Sequence, residues 1–243
     1  MLCIRCLINE IEQIINFFES TDLVGQKQTE LYGRDDVRNS TRISNPGCYA
    51  TSAQLILAPL VKNGLIHASS ISSPSLSTAL PTIFGISGYS GAGTVPGSPD
   101  SAGRPTTLPK VTPEALAGGL KPYSLTDHIH EREAGRHLTK LLQSSSSPSD
   151  AHVKVAFVPT VAPWFSGIMM ILSAPLTRNV NARDVKAMYE EMYSGEKLVK
   201  IKADVPLLGD IEGKHGWTVG GFQVHSEGGR VVVVVSCVWF DLS

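Results

Sequence analysis

WTVGGFQVHSEGGRVVVVVSCVWF, residues 217–240, reads as two strands joined by a tight connection at Ser226–Gly229. Two apolar, β-branched runs on either side of a Ser/Gly cluster are a hairpin signal. Working outward, VKVAFVPTVAPW and GIMMILSAPL read as strands, as does KIKADVPL. Between and before these lie helix-spaced segments. NARDVKAMYEEMYSGEKLV has Asn181 as cap and Gly195 as stop, and HEREAGRHLTKLLQ starts at His130. A third helix is expected from Thr51 to about Asn63, with Pro59 kinking it or ending it early and Gly64 as stop. Thr112-Pro113 starts a fourth. Helices mixed with hairpin-forming strands predict an α+β domain: a mixed or antiparallel sheet with helices on one face.

The chain has 243 residues, 42% hydrophobic and 18% charged, with a formal net charge of −1. That length suits one large or two small domains, with a core that needs no disulfide staples. The near-zero charge gives no field for nucleic acid, and no run approaches the ~20 apolar residues of a membrane span. Residues 1–20 carry apolar side chains at helical spacing (Ile4, Leu7, Ile11, Ile14, Ile15, Phe18) and no secretory pattern. Four irregularly spaced cysteines do not form a disulfide framework, and the Cys3/Cys6 pair lacks a second pair for zinc. Residues 95–113 read as a long Gly/Pro/Ser/Thr loop.

Chemistry gathers in three places. SNPGCYAT puts Cys48 after an Asn-Pro-Gly turn at the mouth of a helix. Unpaired N–H groups and the positive dipole end there lower a thiol's pKa and receive an oxyanion, which suits covalent attack on a carbonyl. DHIHERE supplies the acid/base partner: His128 and His130 are imidazole candidates, and Glu133, three residues after His130, is placed to orient its ring. Two histidines without further donors do not make a metal site. SGYSGAG, residues 87–93, follows a strand without the spacing of a dinucleotide fingerprint, and reads as a loop approaching a ligand.

Several stretches in one order, SNPGCYATSAQLILAPLV, FGISGYSGAGT, KPYSLTDHIHEREAG, VAFVPTVAPWFSGI and GKHGWTVGGFQVHSEGGRVVVVVS, resemble the catalytic domain of the N-acetyl-gamma-glutamyl-phosphate reductases. The resemblance is strongest to the reductase part of the fungal mitochondrial acetylglutamate kinase/reductase polyprotein. It implies the fold of the C-terminal catalytic domain of glyceraldehyde-3-phosphate dehydrogenase-like enzymes. It also implies an NADPH-dependent reaction of arginine biosynthesis. Cys48 attacks the acyl phosphate of N-acetylglutamyl 5-phosphate, and the thioester is reduced to the semialdehyde. On this resemblance His130 is the acid/base, oriented by Glu133. His128 and Arg132 are candidates for the substrate's phosphate or carboxylate, Asn45 is a further substrate-binding candidate, and Ser90, Gly91 and Gly93 are candidates for contact with NADP(H). It implies a homo-oligomer formed through the sheet domain and a mitochondrial-matrix location, with the cytoplasm the alternative.

The resemblance also implies a Rossmann domain ahead of the cysteine. Nothing in residues 1–43 reads as strand, Gly-rich turn and helix. The expected organisation is an N-terminal helical segment of uncertain origin, 1–28, and a catalytic/substrate-binding domain, 29–243, truncated at both ends and impaired alone. The alternatives are a non-catalytic dimerisation or scaffold fragment and a Cys-His hydrolase.

Overall fold

The computed structural model describes residues 47–70, 79–143, 151–211 and 214–238. The helix expected over 1–20 and the Cys3/Cys6 pair lie outside the described residues. Among the described residues four helices follow in chain order: α1 (Cys48–Lys62), α2 (Pro113–Leu116), α3 (Ile129–Gln143) and α4 (Ala182–Met192). The strands are β1 (Ser69–Ser70), β2 (Thr82–Gly88), β3 (Thr94–Pro96), β4 (Thr107–Pro109), β5 (Lys121–Pro122), β6 (Ala151–His152), β7 (Ala156–Ala162), β8 (Ile168–Pro175), β9 (Val199–Ile201), β10 (Trp217–Val224) and β11 (Arg230–Cys237).

Seven strands form one sheet in the order β5-β7-β2-β8-β11-β10-β9. The β10/β11 hairpin is antiparallel as expected, with a bulge between Gly220 and Gln223. β2 runs parallel to β7 and antiparallel to β8, and β9 runs parallel to β10, so the sheet is mixed. α1 packs on β8 and β11, α3 on β7, and α4 on β9 and β10. The helices therefore share one face of the sheet, as the α+β reading expects. Residues 94–108 belong to a second compact unit, where β3 pairs with β4. The long loop expected over 95–113 thus contains paired strands, and the one-turn α2 begins at its end, where Thr112-Pro113 predicts a helix start. Thr112 caps that turn by accepting from the Ala115 N–H at 3.2 Å.

α1 is the centre of the core. Every residue from Tyr49 to Val61 is buried, because the helix touches α3, α4 and the sheet. Pro59 neither kinks it to a stop nor ends it, since the helix runs on to Lys62. The reason lies on α4. Proline has no N–H to give the Leu55 carbonyl four residues back, and the Tyr193 hydroxyl donates to that carbonyl at 2.6 Å. The Tyr189 hydroxyl donates to the next carbonyl, that of Ile56. Tyr193 thus supplies from outside the donor that Pro59 cannot give, and Tyr189 adds a second bond one carbonyl further on.

The other sheet face is also apolar. β8 alternates buried and half-buried residues along its length, and β2 pairs Phe84 with Ile171 and Ile86 with Met169 on that face. Phe84 is 47% exposed, and Ile86, Val158, Met169 and Ile171 are half-buried.

Candidate active site

Cys48 is the first residue of α1, as its turn motif predicts, and it is partly exposed. The amide N–H groups of Tyr49 and of Cys48 itself face the sulfur and lower its pKa, but burial outweighs them and pushes the thiol up. This corrects the sequence expectation of a lowered value. Helix-end N–H groups are worth about 1 kcal/mol, while removing a thiolate from water costs more. A thiol so placed needs a base beside it.

His128 and His130 sit at the start of α3. The His130 N–H donates to His128 Nδ1 at 3.3 Å, so His128 caps the helix and its proton lies on Nε2. Burial, then the neighbouring His130, lowers the His128 pKa to about 4. His128 is therefore neutral at pH 7 and meets an anion as an N–H donor, not as a cation. His130 Nδ1 lies 2.8 Å from Glu133 Oε2, three residues on, as the spacing predicts. An ionised Glu133 takes the Nδ1 proton as its hydrogen bond, which leaves Nε2 free to accept another. Glu133 Oε1 is buried with no hydrogen-bond donor among the described residues.

The aromatic side chains between α1 and α3 were not legible as site residues. Tyr49, the residue after Cys48, has its ring 6.0 Å from that of His130 and 5.1 Å, edge-on, from Phe157. Phe157 also touches His128 and His130, and the rings of His128 and His130 lie 4.8 Å apart. Tyr123 packs edge-on to His128 at 5.8 Å; burial, then the negative charge of a Cys48 thiolate, raises its pKa. These contacts close a ring around the mouth of α1. Glu131 braces it by accepting the Phe157 N–H at 2.8 Å. Behind Cys48, Trp217 Nε1 donates to Ser52 at 3.0 Å, and Ser52 lies 3.7 Å from the buried Cys237 sulfur. Tyr49 and Ser52 lie within a turn of Cys48, and Glu131 lies within DHIHERE; Phe157, Trp217 and Cys237 arrive from distant strands and leave no local signal.

Ser90 and Gly91 are exposed on a 3₁₀ turn, Tyr89–Ala92, that directly follows β2. Main-chain bonds hold the turn: Gly88, Tyr89 and Ser90 donate their N–H groups to the carbonyls of Gly167, Trp164 and Phe165 at 2.9–3.0 Å. Gly93 follows at φ 82°. Arg132 is exposed and Asn45 lies outside the described residues. Among the described residues no three His, Cys, Asp or Glu side chains gather as metal ligands.

The family model described as "Semialdehyde dehydrogenase, dimerisation domain" matches residues 48–238. The chain belongs to this family. The match starts at Cys48 and takes in every described site residue. Among relatives, "Protein arg11, mitochondrial" of Schizosaccharomyces pombe is 42% identical over 207 residues, 85% of this chain and 19% of that protein. The N-acetyl-gamma-glutamyl-phosphate reductase of Xanthomonas axonopodis pv. citri is 37% identical over 203 residues, 84% of this chain and 52% of that one. The resemblance read from the motifs therefore holds. The chain spans about half the length of the bacterial relative and about a fifth of the fungal one. The solved aspartate semialdehyde dehydrogenase from Francisella tularensis superposes with a TM-score of 0.58 at 13% identity, covering 87% of this chain and 65% of that one. A probable aspartate-semialdehyde dehydrogenase from Pseudomonas aeruginosa gives 0.58 at 15%, covering 89% and 64%. At these identities the likeness shows the fold. This family member thus has the architecture of the semialdehyde dehydrogenases' catalytic and dimerisation domain.

Proposed function

We propose that this chain carries the covalent chemistry of an N-acetyl-gamma-glutamyl-phosphate reductase. The observation that carries the reading is the His130–Glu133 pair, 2.8 Å apart, packed against the residue that follows Cys48. His130 Nε2 takes the thiol proton. The sulfur attacks the acyl carbon of N-acetylglutamyl 5-phosphate, a C–S bond forms, and the C–O bond to phosphate breaks with its electron pair leaving on phosphate. Glu133 stabilises the imidazolium so formed. The N–H groups of Cys48 and Tyr49, already turned toward the sulfur, favour the negative charge that develops beside it. When bound, NADPH supplies the hydride that converts the thioester to the semialdehyde. The His130 proton then returns to the departing sulfur.

The turn Ser90–Gly93 suits one edge of a flat cofactor ring: Ser90 and Gly91 are exposed, and Gly91 offers main chain without a side chain. Neutral His128 is assigned to hydrogen-bond the substrate's anionic end, with Arg132 and Asn45 as further contacts. The names of the relatives favour the reductase over a scaffold or a hydrolase. The open sheet face around Phe84 is assigned to a second copy of the chain, in keeping with a dimerisation-domain family. The fungal relatives are named mitochondrial, and the matrix is the proposed compartment.

Thiol labelling tests the central assignment without cofactor. Iodoacetamide should modify Cys48 faster than Cys3, Cys6 or Cys237 at neutral pH, as read by peptide mass, and His130→Asn should slow it. Equal rates in wild type and variant would sink the assignment. Turnover of N-acetylglutamate semialdehyde with phosphate and NADP, abolished in Cys48→Ser, tests the complete reaction.

A further inference from the structure

Gly85 stands in the middle of β2, buried, at a negative φ that any residue adopts. Glycine weakens a strand interior, and its presence there marks a close approach by something else. A Cβ at position 85 would lie 2.6 Å from Tyr49 Cε1 and 2.9 Å from Phe157 Cζ. The visitors are thus the ring of Phe157 and, closer still, that of Tyr49, the residue bonded to the nucleophile. That ring is 7% exposed and wedged among Phe157, His130 and the strand. Its hydroxyl reaches the Thr160 carbonyl at 3.5 Å and hydrogen-bonds Ser87, two residues after Gly85.

We propose that Tyr49 is a positioning residue, a strut seated in a notch made by Gly85 that fixes the Cys48 sulfur relative to the His130 imidazole. The inference rests on the Cys48–His130 reading of the site. One peptide bond ties the ring to the nucleophile, and the ring packs tilted against the imidazole with centroids 6.0 Å apart. A shift of the ring therefore moves one reacting group relative to the other. Relieving a 2.6 Å contact to an ordinary carbon–carbon separation of about 3.6 Å needs a movement of about 1 Å. A displacement of that size at a reacting pair costs up to about 100-fold in rate.

The test uses the full chain and reads two quantities: the iodoacetamide rate at Cys48 across pH, and the melting temperature. The part of the pH profile that His130→Asn removes measures the coupling of sulfur and imidazole. Tyr49→Phe keeps the ring and should keep that part within about two-fold. Tyr49→Leu and Gly85→Ala should each reduce it at least ten-fold. Tyr49→Leu does not clear the notch, because a Cβ at position 85 still meets Phe157 Cζ at 2.9 Å, so the two variants at position 49 carry the decision. Equal losses in Tyr49→Phe and Tyr49→Leu, or a wild-type profile in Tyr49→Leu, would overturn the proposal and leave the Cys48–His130 reading intact. A wild-type profile unchanged by His130→Asn would overturn both. If Gly85→Ala does not fold, the Phe and Leu variants at position 49 still decide.

Discussion

Tyr193→Phe removes one oxygen atom and no carbon, yet it should cost more than an ordinary hydrogen bond. The hydroxyl serves the Leu55 carbonyl, whose helical donor would be the N–H of residue 59, a proline. Leu55 and Tyr193 are 0% and 3% exposed, so no water replaces the lost donor. A buried acceptor left unsatisfied costs about 1–3 kcal/mol, against about 1 for a typical net hydrogen bond. For a chain of this size each kcal/mol lowers the melting temperature by about 2–4 °C, so the expected drop is about 4–8 °C for a cost near 2 kcal/mol. The informative experiment is a cycle with Pro59→Ala. Alanine restores the N–H, so Tyr193→Phe in that background should cost about 0.5 kcal/mol or less. Urea unfolding of the four proteins gives the coupling energy, expected near 1–2 kcal/mol. Equal costs of Tyr193→Phe with and without Pro59 would refute the argument that α4 repairs the gap in α1.

Other outcomes follow from the same contacts. Between pH 6.5 and about 4 the unfolded chain holds a proton on His128 that the folded chain rejects. Stability therefore falls as the pH drops through that window; His137, also lowered by burial, adds in the same direction. His128→Asn, which keeps a capping acceptor, should flatten this part of the melting curve's pH dependence, and an unchanged slope would count against it. Gly88→Ala places a Cβ 2.6 Å from the Phe165 carbonyl oxygen and 2.7 Å from the Ser166 nitrogen, main-chain atoms that cannot step aside. A loss of about 1–3 kcal/mol is expected in urea unfolding, and an unchanged midpoint would argue against it. Phe84→Asp charges the open face of the sheet, and light scattering should show a smaller assembly than the wild type at equal concentration.

What the sequence disclosed and what it withheld divide along physical lines. The β10/β11 hairpin, the Asn181 cap and the His130–Glu133 pair are local. Each depends on residues within a few positions of one another, and each stands as read: the Asn181 side chain accepts the Asp184 N–H at 2.8 Å. The parallel pairing of β2 with β7 joins residues some seventy positions apart, and no local pattern specifies it. Pro59 misled for the same reason, since its remedy comes from Tyr193. The thiol's pKa went astray because a helix end is visible in sequence and desolvation is not. Tyr49 lies within the motif of the proposed nucleophile, yet its place against Gly85 and Phe157 is visible only in the folded chain.

The turn that carries Ser90 and Gly91 hangs from carbonyls of residues 164, 165 and 167, and peptide carbonyls are common to all amino acids. The indole and phenyl groups at 164 and 165 are 36% and 65% exposed, yet both also brace the turn: Trp164 Nε1 donates to the Gly167 carbonyl at 3.5 Å, and Phe165 packs edge-on to Tyr89 at 5.5 Å. Drift at these two positions can therefore alter what the rim presents to its surroundings while the main-chain bonds keep the path of the turn, so long as an aromatic neighbour for Tyr89 remains.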